Sequence, residues 1–231
     1  MVVWAQIEMM NTLNPAVAIE RLIKVLASKG ITDDRVLDAF RAVPRHLFVD
    51  GAMYAKAYDD SALPIGSGQT ISQPYVVALM TQLLKLGKDD KILEIGTGSG
   101  FQTAILAQFS CRVYTIERQR DLADISRKRL REMGYENIVF KPGDGSSGWI
   151  QHAPFDRIIV TAGAPVVPEA LIEQLATEGR MIIPVGDRYH QELCVYEKTT
   201  QGVKTYTEGG VVFVPLIGKH GWREEMNGKW E

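Results

Sequence analysis

Residues 92–100 read Ile-Leu-Glu-Ile-Gly-Thr-Gly-Ser-Gly, an apolar segment that runs into three alternating glycines. Without β-carbons at Gly96, Gly98 and Gly100, the backbone can turn tightly from a strand into a helix, and a ligand can lie directly against it. A second apolar segment at residues 113–116 ends at Glu117. A carboxylate in that position can accept hydrogen bonds from both hydroxyls of a ribose. The stretch therefore predicts a parallel α/β fold with a nucleoside-binding turn.

The spacing of the glycines distinguishes two kinds of cofactor. A dinucleotide site usually places its third glycine one position later, because a pyrophosphate sits on the helix N-terminus. This chain has Phe101 at that position, and Glu94 just before the turn would repel a phosphate. S-adenosylmethionine (SAM) has no phosphate, and its sulfonium and ammonium groups attract nearby acids. We therefore expect SAM, and with it a methyltransferase rather than a dehydrogenase.

Three acidic residues fall at or just beyond the ends of predicted parallel strands, where ligands bind in a doubly wound sheet. Glu94 closes the first strand and Glu117 the second, and Asp144 follows the third within Gly143-Asp-Gly145. We expect Glu117 to bind the ribose of the cofactor and Asp144 to accept from the adenine amino group. Together the three carboxylates predict a complete nucleoside site.

The composition argues against several other classes of protein. The 231 residues carry 26 basic and 28 acidic side chains, so a net charge of −2 gives no electrostatic reason to expect nucleic acid. The basic cluster at residues 118–131 is interrupted by acids and is interpreted as a solvated helix face. Cys111 and Cys194 are expected to be buried free thiols, and no zinc or other metal site is indicated. Without a signal-peptide pattern or a stretch of about 20 apolar residues, a cytoplasmic protein is expected.

Apolar periodicity predicts helices before the glycine turn and an alternation of strands and helices after it. The predicted helices cover residues 15–27, 33–43, 74–86, 100–109, 119–133 and 168–176, with a loop at 51–71. The predicted strands cover residues 91–95, 112–117, 137–141, 156–161 and 179–184, followed by 192–198 and 210–215 with no helix between them.

This order predicts one α/β domain over residues 1–231, with a doubly wound, mostly parallel Rossmann-like sheet of the SAM-dependent methyltransferase type. Residues 1–86 would form an N-terminal helical segment with a substrate loop, 87–218 the cofactor-binding core with an antiparallel C-terminal edge, and 219–231 a tail.

Two further segments bear on the substrate. Thr161-Ala-Gly-Ala-Pro165 lacks the Asn or Asp with Pro-Pro that methylation of an exocyclic base amine needs, and it lacks the Pro-Cys needed for attack on cytosine. Leu63-Pro-Ile-Gly-Ser-Gly-Gln-Thr-Ile-Ser-Gln-Pro-Tyr75 has two interpretations. Thr70 or Ser72 could simply cap the following helix, or the glycines and hydroxyls could bind an anionic substrate.

The four histidines, His46, His152, His190 and His220, share no motif that would make one of them a catalytic base. A hydroxyl or amine acceptor must lose a proton, whereas a carboxylate is already ionised at pH 7. The absence of a base therefore favours methylation of a carboxylate, which needs orientation and desolvation.

Several motifs together resemble the protein-L-isoaspartate (D-aspartate) O-methyltransferase family. They are Val43-Pro-Arg-His-Leu-Phe-Val49, Gly68-Gln-Thr-Ile-Ser-Gln-Pro-Tyr75, Leu93-Glu-Ile-Gly-Thr-Gly-Ser-Gly-Phe-Gln102, Gly143-Asp-Gly145, Phe155-Asp-Arg-Ile-Ile-Val-Thr-Ala-Gly-Ala-Pro165 and Phe213-Val-Pro-Leu216. The resemblance covers about residues 15–218, and the Gln-Thr-Ile-Ser-Gln-Pro segment is its most specific part. Gly163 stands where an alanine is common, and Val212 where some members have arginine.

The resemblance implies methyl transfer from SAM to the carboxylate of L-isoaspartyl or D-aspartyl residues in damaged proteins, with S-adenosyl-L-homocysteine as the second product. The methyl ester then closes to a succinimide, which begins repair. Ser72 would be the active-site hydroxyl, and Ile71, Ser72, Val212 and Val214 would bind the substrate. The residues expected at the cofactor are Thr70, Glu94, Gly96, Thr97, Gly98, Ser99, Gly100, Glu117, Arg118, Asp144, Gly145 and Thr161.

We expect a monomer with no nucleic-acid or membrane partner. Two alternatives remain open from the residues alone. One is a SAM-dependent methyltransferase for a small molecule or nucleic acid, and the other is a SAM-fold binding module without catalytic activity.

Overall fold

The helical segment comes first in the chain, and its helices begin at clear capping residues. The computed structural model describes residues 14–109 and 112–223. Helix α1 (Pro15–Ser28) begins where the Asn14 side chain accepts from two backbone N–H groups, and α2 (Asp34–Ala42) begins where the Asp33 side chain accepts from the Arg35 N–H. The predictions for residues 1–13, for Cys111 and for residues 224–231 lie outside the described residues.

Residues 51–71, predicted as a loop, are more regular than expected. They contain a 3-10 helix (Gly51–Lys56) and a two-stranded hairpin of β1 (Leu63–Gly66) and β2 (Gln69–Ile71). Strands of four and three residues are too short to show an alternating pattern, so the sequence indicates only the glycine-containing turn between them. The hairpin leads directly to α3 (Pro74–Leu84), which ends two residues earlier than predicted.

The remaining strands of the described chain form one seven-stranded sheet. Its strands are β3 (Lys91–Ile95), β4 (Arg112–Glu117), β5 (Ile138–Pro142), β6 (Phe155–Val160), β7 (Leu175–Gly186), β8 (Gln191–Thr199) and β9 (Gly202–Val211). The strand order is β5-β4-β3-β6-β7-β8-β9, parallel through β7 and antiparallel for the last two pairs. The predicted doubly wound sheet with an antiparallel C-terminal edge is confirmed.

Both faces of this sheet are covered. Helices α4 (Phe101–Ala107) and α3 pack on the face that carries Ile92, Val113 and Ile159. The opposite face packs against α6 (Glu169–Glu173) through Leu171. Helix α5 (Arg120–Glu132) contacts β4 and β5. Alternating burial on the two faces is what a doubly wound fold requires. Among the described residues, none of the helices has the length and apolarity to span a membrane.

Three predicted elements at the C-terminal end of the sheet are wrong in their bounds, one of them being the strand expected at 179–184, which extends over Leu175–Gly186 as β7. The helix expected at 168–176 stops at Glu173, because the buried Leu175 pairs with Phe155 at the start of β7. The last strand is β9, a strand exposed over nearly its whole length, and not the apolar segment 210–215. Phe213 and Val214 are partly buried and pack at the end of the sheet, where the Gly163 N–H donates to the Val214 carbonyl (2.8 Å), whereas Val212 is exposed.

The helical segment shares a hydrophobic core with the sheet. The ring of Phe101, at the start of α4, makes edge-to-face contacts with Phe40 of α2 (5.6 Å between centroids) and with Phe48 (5.5 Å). The same cluster contains Leu26 of α1 and Leu130 of α5. Through this contact the helical segment is anchored beside the glycine turn.

Phe48→Ala is expected to lower the free energy of unfolding by about 3–5 kcal/mol, because it removes a buried ring from this shared core. Phe48 is 1% exposed, and its neighbour Leu47 is 48% exposed. Leu47→Ala is the matched control and should cost less than about 1 kcal/mol. Urea unfolding measures both values, and equal losses in the two variants would contradict this account of the core.

Candidate functional site

A cleft opens at the carboxyl ends of β3, β4 and β6. Strand β3 lies between β4 and β6, so the strand order reverses there, and ligands bind at such a switch point. The cleft is lined by the glycine turn, by residues at the ends of β3 and β4, and by residues of the hairpin. It lies where the sequence predicts the cofactor.

The glycine turn forms one wall of this cleft and needs its glycines for two reasons. Gly96, Gly98 and Gly100 have φ angles of +98°, +53° and +89°, a region that side chains rarely adopt. A β-carbon on Gly96 would also collide with the Thr161 hydroxyl, which donates to the Gly96 carbonyl (2.7 Å). Gly98 has only the Ile65 side chain near the position of its missing β-carbon (3.8 Å). The backbone at Gly98 is therefore open to a ligand, whereas the space beside Gly96 is occupied by Thr161.

Glu117 is placed in the cleft as expected and is oriented by the turn itself. One carboxylate oxygen accepts from the Gly98 N–H (2.9 Å) and the other from the Gln119 N–H (2.9 Å). A carboxylate oxygen can accept more than one hydrogen bond, so each keeps capacity for a further donor. Glu117 thus presents two oriented acceptors to the cleft, which suits two neighbouring hydroxyls.

Glu94 does not line the cleft. Its side chain is fully buried, and one oxygen accepts from the hydroxyls of Thr103 and Thr115 (2.6 Å each). Burial and the charge of Glu117, opposed by these hydroxyls, raise the pKa of Glu94 to about 8. Thr115 in turn contacts the Thr97 hydroxyl (2.6 Å), which lines the cleft. Glu94 therefore contacts the turn through a chain of hydroxyls.

Asp144 also lies outside the set of residues that line the cleft. One oxygen accepts from the backbone and the hydroxyl of Ser146, and the other from the Lys219 N–H (2.8 Å). Burial raises the pKa of Asp144, but these hydrogen bonds outweigh it and lower the pKa below its ordinary value. Asp144 holds the C-terminal segment in place next to Gly145 and Ile217, which do line the cleft.

A second cleft, with an empty volume of about 1130 Å³, meets the first beside Ser72. Four residues line both clefts: Thr70, Ser72, Thr161 and Val214. Among the described residues the Ser72 hydroxyl has no hydrogen-bond partner, so it is available to a ligand. A group held at Ser72 would lie between the contents of the two clefts.

The interpretation of this loop as a simple helix cap is wrong. The N-cap of α3 is Gln73, and its side chain makes no capping hydrogen bond. The acceptor for the first turn is instead the carboxylate of Asp60, which accepts from the Tyr75 N–H (2.8 Å). Thr70 and Ser72 are therefore not needed as caps, and both face clefts.

The structure brings most of the predicted site residues together. Those that line at least one cleft are Thr70, Ile71, Ser72, Gly96, Thr97, Gly98, Ser99, Glu117, Arg118, Gly145, Thr161, Val212 and Val214. Glu94, Gly100 and Asp144 are the predicted residues that do not. Gly100 is the N-cap of α4, and a β-carbon there would meet the Leu130 side chain at 3.0 Å.

Sequence reasoning missed several residues that support the clefts. Arg129, interpreted as solvated, donates to the Ser99 carbonyl of the turn (2.7 Å) and lies over the Phe48 ring. Gln191 accepts from the Phe213 N–H (2.7 Å) and fills the space that a β-carbon on Gly163 would need. No local motif indicates either contact, because the partners are far apart in the chain.

Histidine and metal chemistry have little support at this site. Of the four histidines, only His190 lines a cleft, and it lies at the second. Among residues 14–109 and 112–223, no group of acidic, cysteine or histidine side chains is arranged to hold a metal ion. Cys194 is a buried free thiol, as predicted.

Comparison with known proteins gives a consistent result. The sequence model of the family "Protein-L-isoaspartate(D-aspartate) O-methyltransferase (PCMT)" matches residues 18–221. The chain is 53% identical over 204 residues to protein-L-isoaspartate O-methyltransferase 1 of Syntrophobacter fumaroxidans, covering 88% of this chain and 95% of the relative. It is 51% identical over 206 residues to the protein-L-isoaspartate O-methyltransferase of Dictyoglomus thermophilum, covering 88% and 93%.

Solved structures agree. One protein-L-isoaspartate O-methyltransferase superposes with a TM-score of 0.81 at 28% identity, covering 88% of this chain and 67% of that one. A Plasmodium falciparum structure, described as a beta-aspartate methyltransferase in complex with S-adenosyl-L-homocysteine, superposes with a TM-score of 0.77 at 26% identity. That match covers 89% of this chain and 99% of the other.

Glu94→Gln is expected to change how stability depends on pH. The folded pKa of Glu94 is about 8, against an ordinary value of 4.5. Between these values the unfolded chain releases its proton while the folded chain keeps it, so stability falls as pH rises through this window. Glutamine does not titrate, so the wild type should lose stability relative to Glu94→Gln from pH 4.5 to about 8, and no further above that.

Urea unfolding at several pH values measures this difference. The control is Glu136→Gln, because Glu136 is exposed. This variant measures the effect of removing one exposed carboxylate at each pH. If Glu94→Gln differs from the wild type by the same amount at every pH, the folded pKa of Glu94 is not raised.

Proposed function

The chain belongs to the protein-L-isoaspartate(D-aspartate) O-methyltransferase family, and we propose that its two clefts hold the cofactor and the damaged peptide, respectively. It is a SAM-dependent methyltransferase that methylates the free carboxylate of isoaspartyl residues in proteins. The observation that supports this division of the clefts is their junction at Ser72, Thr70, Thr161 and Val214. A methyl donor and an acceptor carboxylate must meet at such a junction.

The first cleft fits SAM in the chemistry of its lining. Glu117 provides two oriented acceptors for ribose hydroxyls, and the turn at Gly98 lets a ligand approach the backbone. When bound, SAM supplies a methyl group activated by its positively charged sulfonium. We infer that Thr97, Ser99, Arg118 and Gly145 complete the contacts to it.

We propose roles for Glu94 and Asp144 that differ from those expected. We propose that Glu94 supports the turn through Thr103, Thr115 and Thr97, and that Asp144 shapes the cleft by holding the segment at Lys219. Both carboxylates already accept from groups of the protein itself. Neither therefore needs to contact the cofactor to affect its affinity.

Ser72 is proposed to donate its hydroxyl hydrogen to the acceptor carboxylate and to orient it toward the methyl group. A carboxylate is ionised at pH 7, so the reaction needs no base. Orientation and exclusion of water then account for most of what the protein can contribute. Ile71 in the first cleft, Val214 at the junction and Val212 in the second cleft supply apolar walls near this hydroxyl.

The second cleft is proposed to hold the peptide on both sides of the damaged residue. It is lined by residues from the hairpin and α3 and by residues 210–214. We propose that the backbone nitrogen of the following residue then attacks the methyl ester, methanol leaves, and hydrolysis of the resulting succinimide begins the return to normal aspartate.

We further propose that the protein acts as a cytoplasmic monomer without nucleic-acid or membrane partners. One chain supplies both Ser72 and Glu117, so the proposed reaction requires no second copy. The net charge of −2 gives little attraction to nucleic acid, and the free thiol of Cys194 is typical of a reducing compartment.

The wild-type protein should transfer labelled methyl from SAM to a peptide that contains L-isoaspartate. The same peptide with normal aspartate is the control and should remain unlabelled, because its side-chain carboxylate is not placed like the α-carboxylate of isoaspartate. Equal labelling of the two peptides would contradict the assigned substrate.

Two substitutions should separate the proposed roles of the clefts. Ser72→Ala should lower turnover by about 10- to 100-fold and leave the calorimetric affinity for SAM nearly intact, because it affects only acceptor orientation. Glu117→Ala should instead weaken SAM binding by about tenfold or more, because it removes charge-assisted hydrogen bonds. The assignment is wrong if Ser72→Ala turns over normally or Glu117→Ala binds SAM as the wild type does.

A further inference from the structure

We propose that Asp60 is a positioning residue for methyl transfer, acting on Ser72 through Gln73 and Tyr75, which follow Ser72 in the chain. The inference rests on the proposed role of Ser72. Asp60 precedes the hairpin and does not line either cleft. Its side chain is only 11% exposed, and its hydrogen bonds lead to the segment that carries Ser72.

The first link is to the backbone of α3. One oxygen of the Asp60 carboxylate accepts from the Tyr75 N–H (2.8 Å), in the first turn of this helix. The helix has no cap from its own N-cap residue, so Asp60 satisfies a donor that would otherwise be unpaired. A carboxylate at this end of a helix is also favoured by the helix dipole.

The second link is to the side chain of Gln73, which directly follows Ser72. The Gln73 amide nitrogen donates to both the carbonyl (3.0 Å) and the carboxylate (3.1 Å) of Asp60. These bonds fix which end of the amide faces Asp60. Because Gln73 lines the second cleft, its orientation affects the shape of that cleft as well as the backbone next to Ser72.

One cation pairs with the Asp60 carboxylate, and a second binds the backbone on either side of Asp60. Lys29, which follows α1, forms an ion pair with it (2.6 Å) and lies over the ring of Tyr75 (5.3 Å). The buried guanidinium of Arg45 donates to the carbonyls of Ala57 (2.8 Å) and Ser61 (3.2 Å), which flank Asp60 in the chain.

Arg45 connects this arrangement to the cofactor side of the site. Its guanidinium lies over the ring of Phe101 (5.1 Å), and Phe101 lines the first cleft. Burial lowers the pKa of Arg45 to about 10 against the opposing effect of the Asp60 carboxylate, so Arg45 stays charged at neutral pH. Arg45 therefore fixes residues 57–61 against the core. Because Asp60 is part of this segment, its hydrogen bonds hold Gln73 and Tyr75 in place relative to the core.

Ser72 lies between the hairpin and these two anchored residues. Without the Asp60 carboxylate, Gln73 and the first turn of α3 each lose one hydrogen bond, and the loop can shift relative to the first cleft. Even a shift of about 1 Å can cost about 100-fold in rate, because the acceptor must be aligned with the methyl group. Glu117 and the glycine turn lie on different elements and should keep their affinity for the cofactor.

The test compares three variants of the full chain with an isoaspartyl peptide as substrate. Asp60→Ala removes all side-chain links, and Asp60→Asn keeps an acceptor for Tyr75 but places a donor against Gln73 and Lys29. Asp59→Asn is the matched control, because Asp59 is the adjacent residue and is exposed. Turnover and KM are measured together with the calorimetric affinity for S-adenosyl-L-homocysteine, at a temperature where circular dichroism shows every variant folded.

We expect Asp60→Ala to lower kcat by about 10- to 100-fold with unchanged affinity for S-adenosyl-L-homocysteine. Asp60→Asn should lose less than Asp60→Ala, and Asp59→Asn should match the wild type. The proposal is overturned if Asp60→Ala keeps wild-type kcat, or if cofactor affinity and kcat fall together, which would indicate general structural support. Failure of the wild type to methylate the peptide would instead contradict the function itself.

Discussion

The arrangement of both clefts depends on the packing of the Phe101 ring against the helical segment. Phe101 follows the glycine turn, lines the first cleft and contacts Phe40 and Phe48 of the helical segment. The guanidinium of Arg45 lies over the same ring. A dinucleotide site would have a glycine at this position, so the residue that argues against a pyrophosphate also anchors the helical segment. The segment that contributes Ser72 is thereby fixed relative to the segment that contributes Glu117.

The three acids at the strand ends show how similar positions lead to different chemistry. Glu117 is fixed by backbone N–H groups and keeps acceptor capacity in the cleft. Glu94 is surrounded by hydroxyls and apolar atoms, and its pKa rises to about 8. Asp144 accepts from Ser146 and Lys219, which lower its pKa. A strand end therefore fixes where a carboxylate lies, while its partners decide its charge and its availability to a ligand.

Much of the fold could be predicted because buried strands and amphipathic helices leave periodic patterns. Strands β3 and β4 have the predicted bounds, and the glycine turn, Glu117 and Ser72 lie at the clefts as expected. The hairpin was missed because three or four residues cannot show a period. The roles of Asp60 and Arg129 could not be predicted, because each contacts residues 13 or more positions away and no local pattern records such a contact.

Strand β9 has an exposed edge that could pair with other chains, and its sequence makes such pairing less favourable. It is the outermost strand of the sheet, and its residues from Gly202 to Gly210 are exposed. An unpaired strand edge is a template on which other extended chains can add, which leads to aggregation. Lys204 and Glu208 place charges along this edge, and the pairing with β8 contains an irregularity between Glu192 and Cys194. A protein whose substrates are damaged chains is thereby protected against edge-to-edge association with the polypeptides that it must bind.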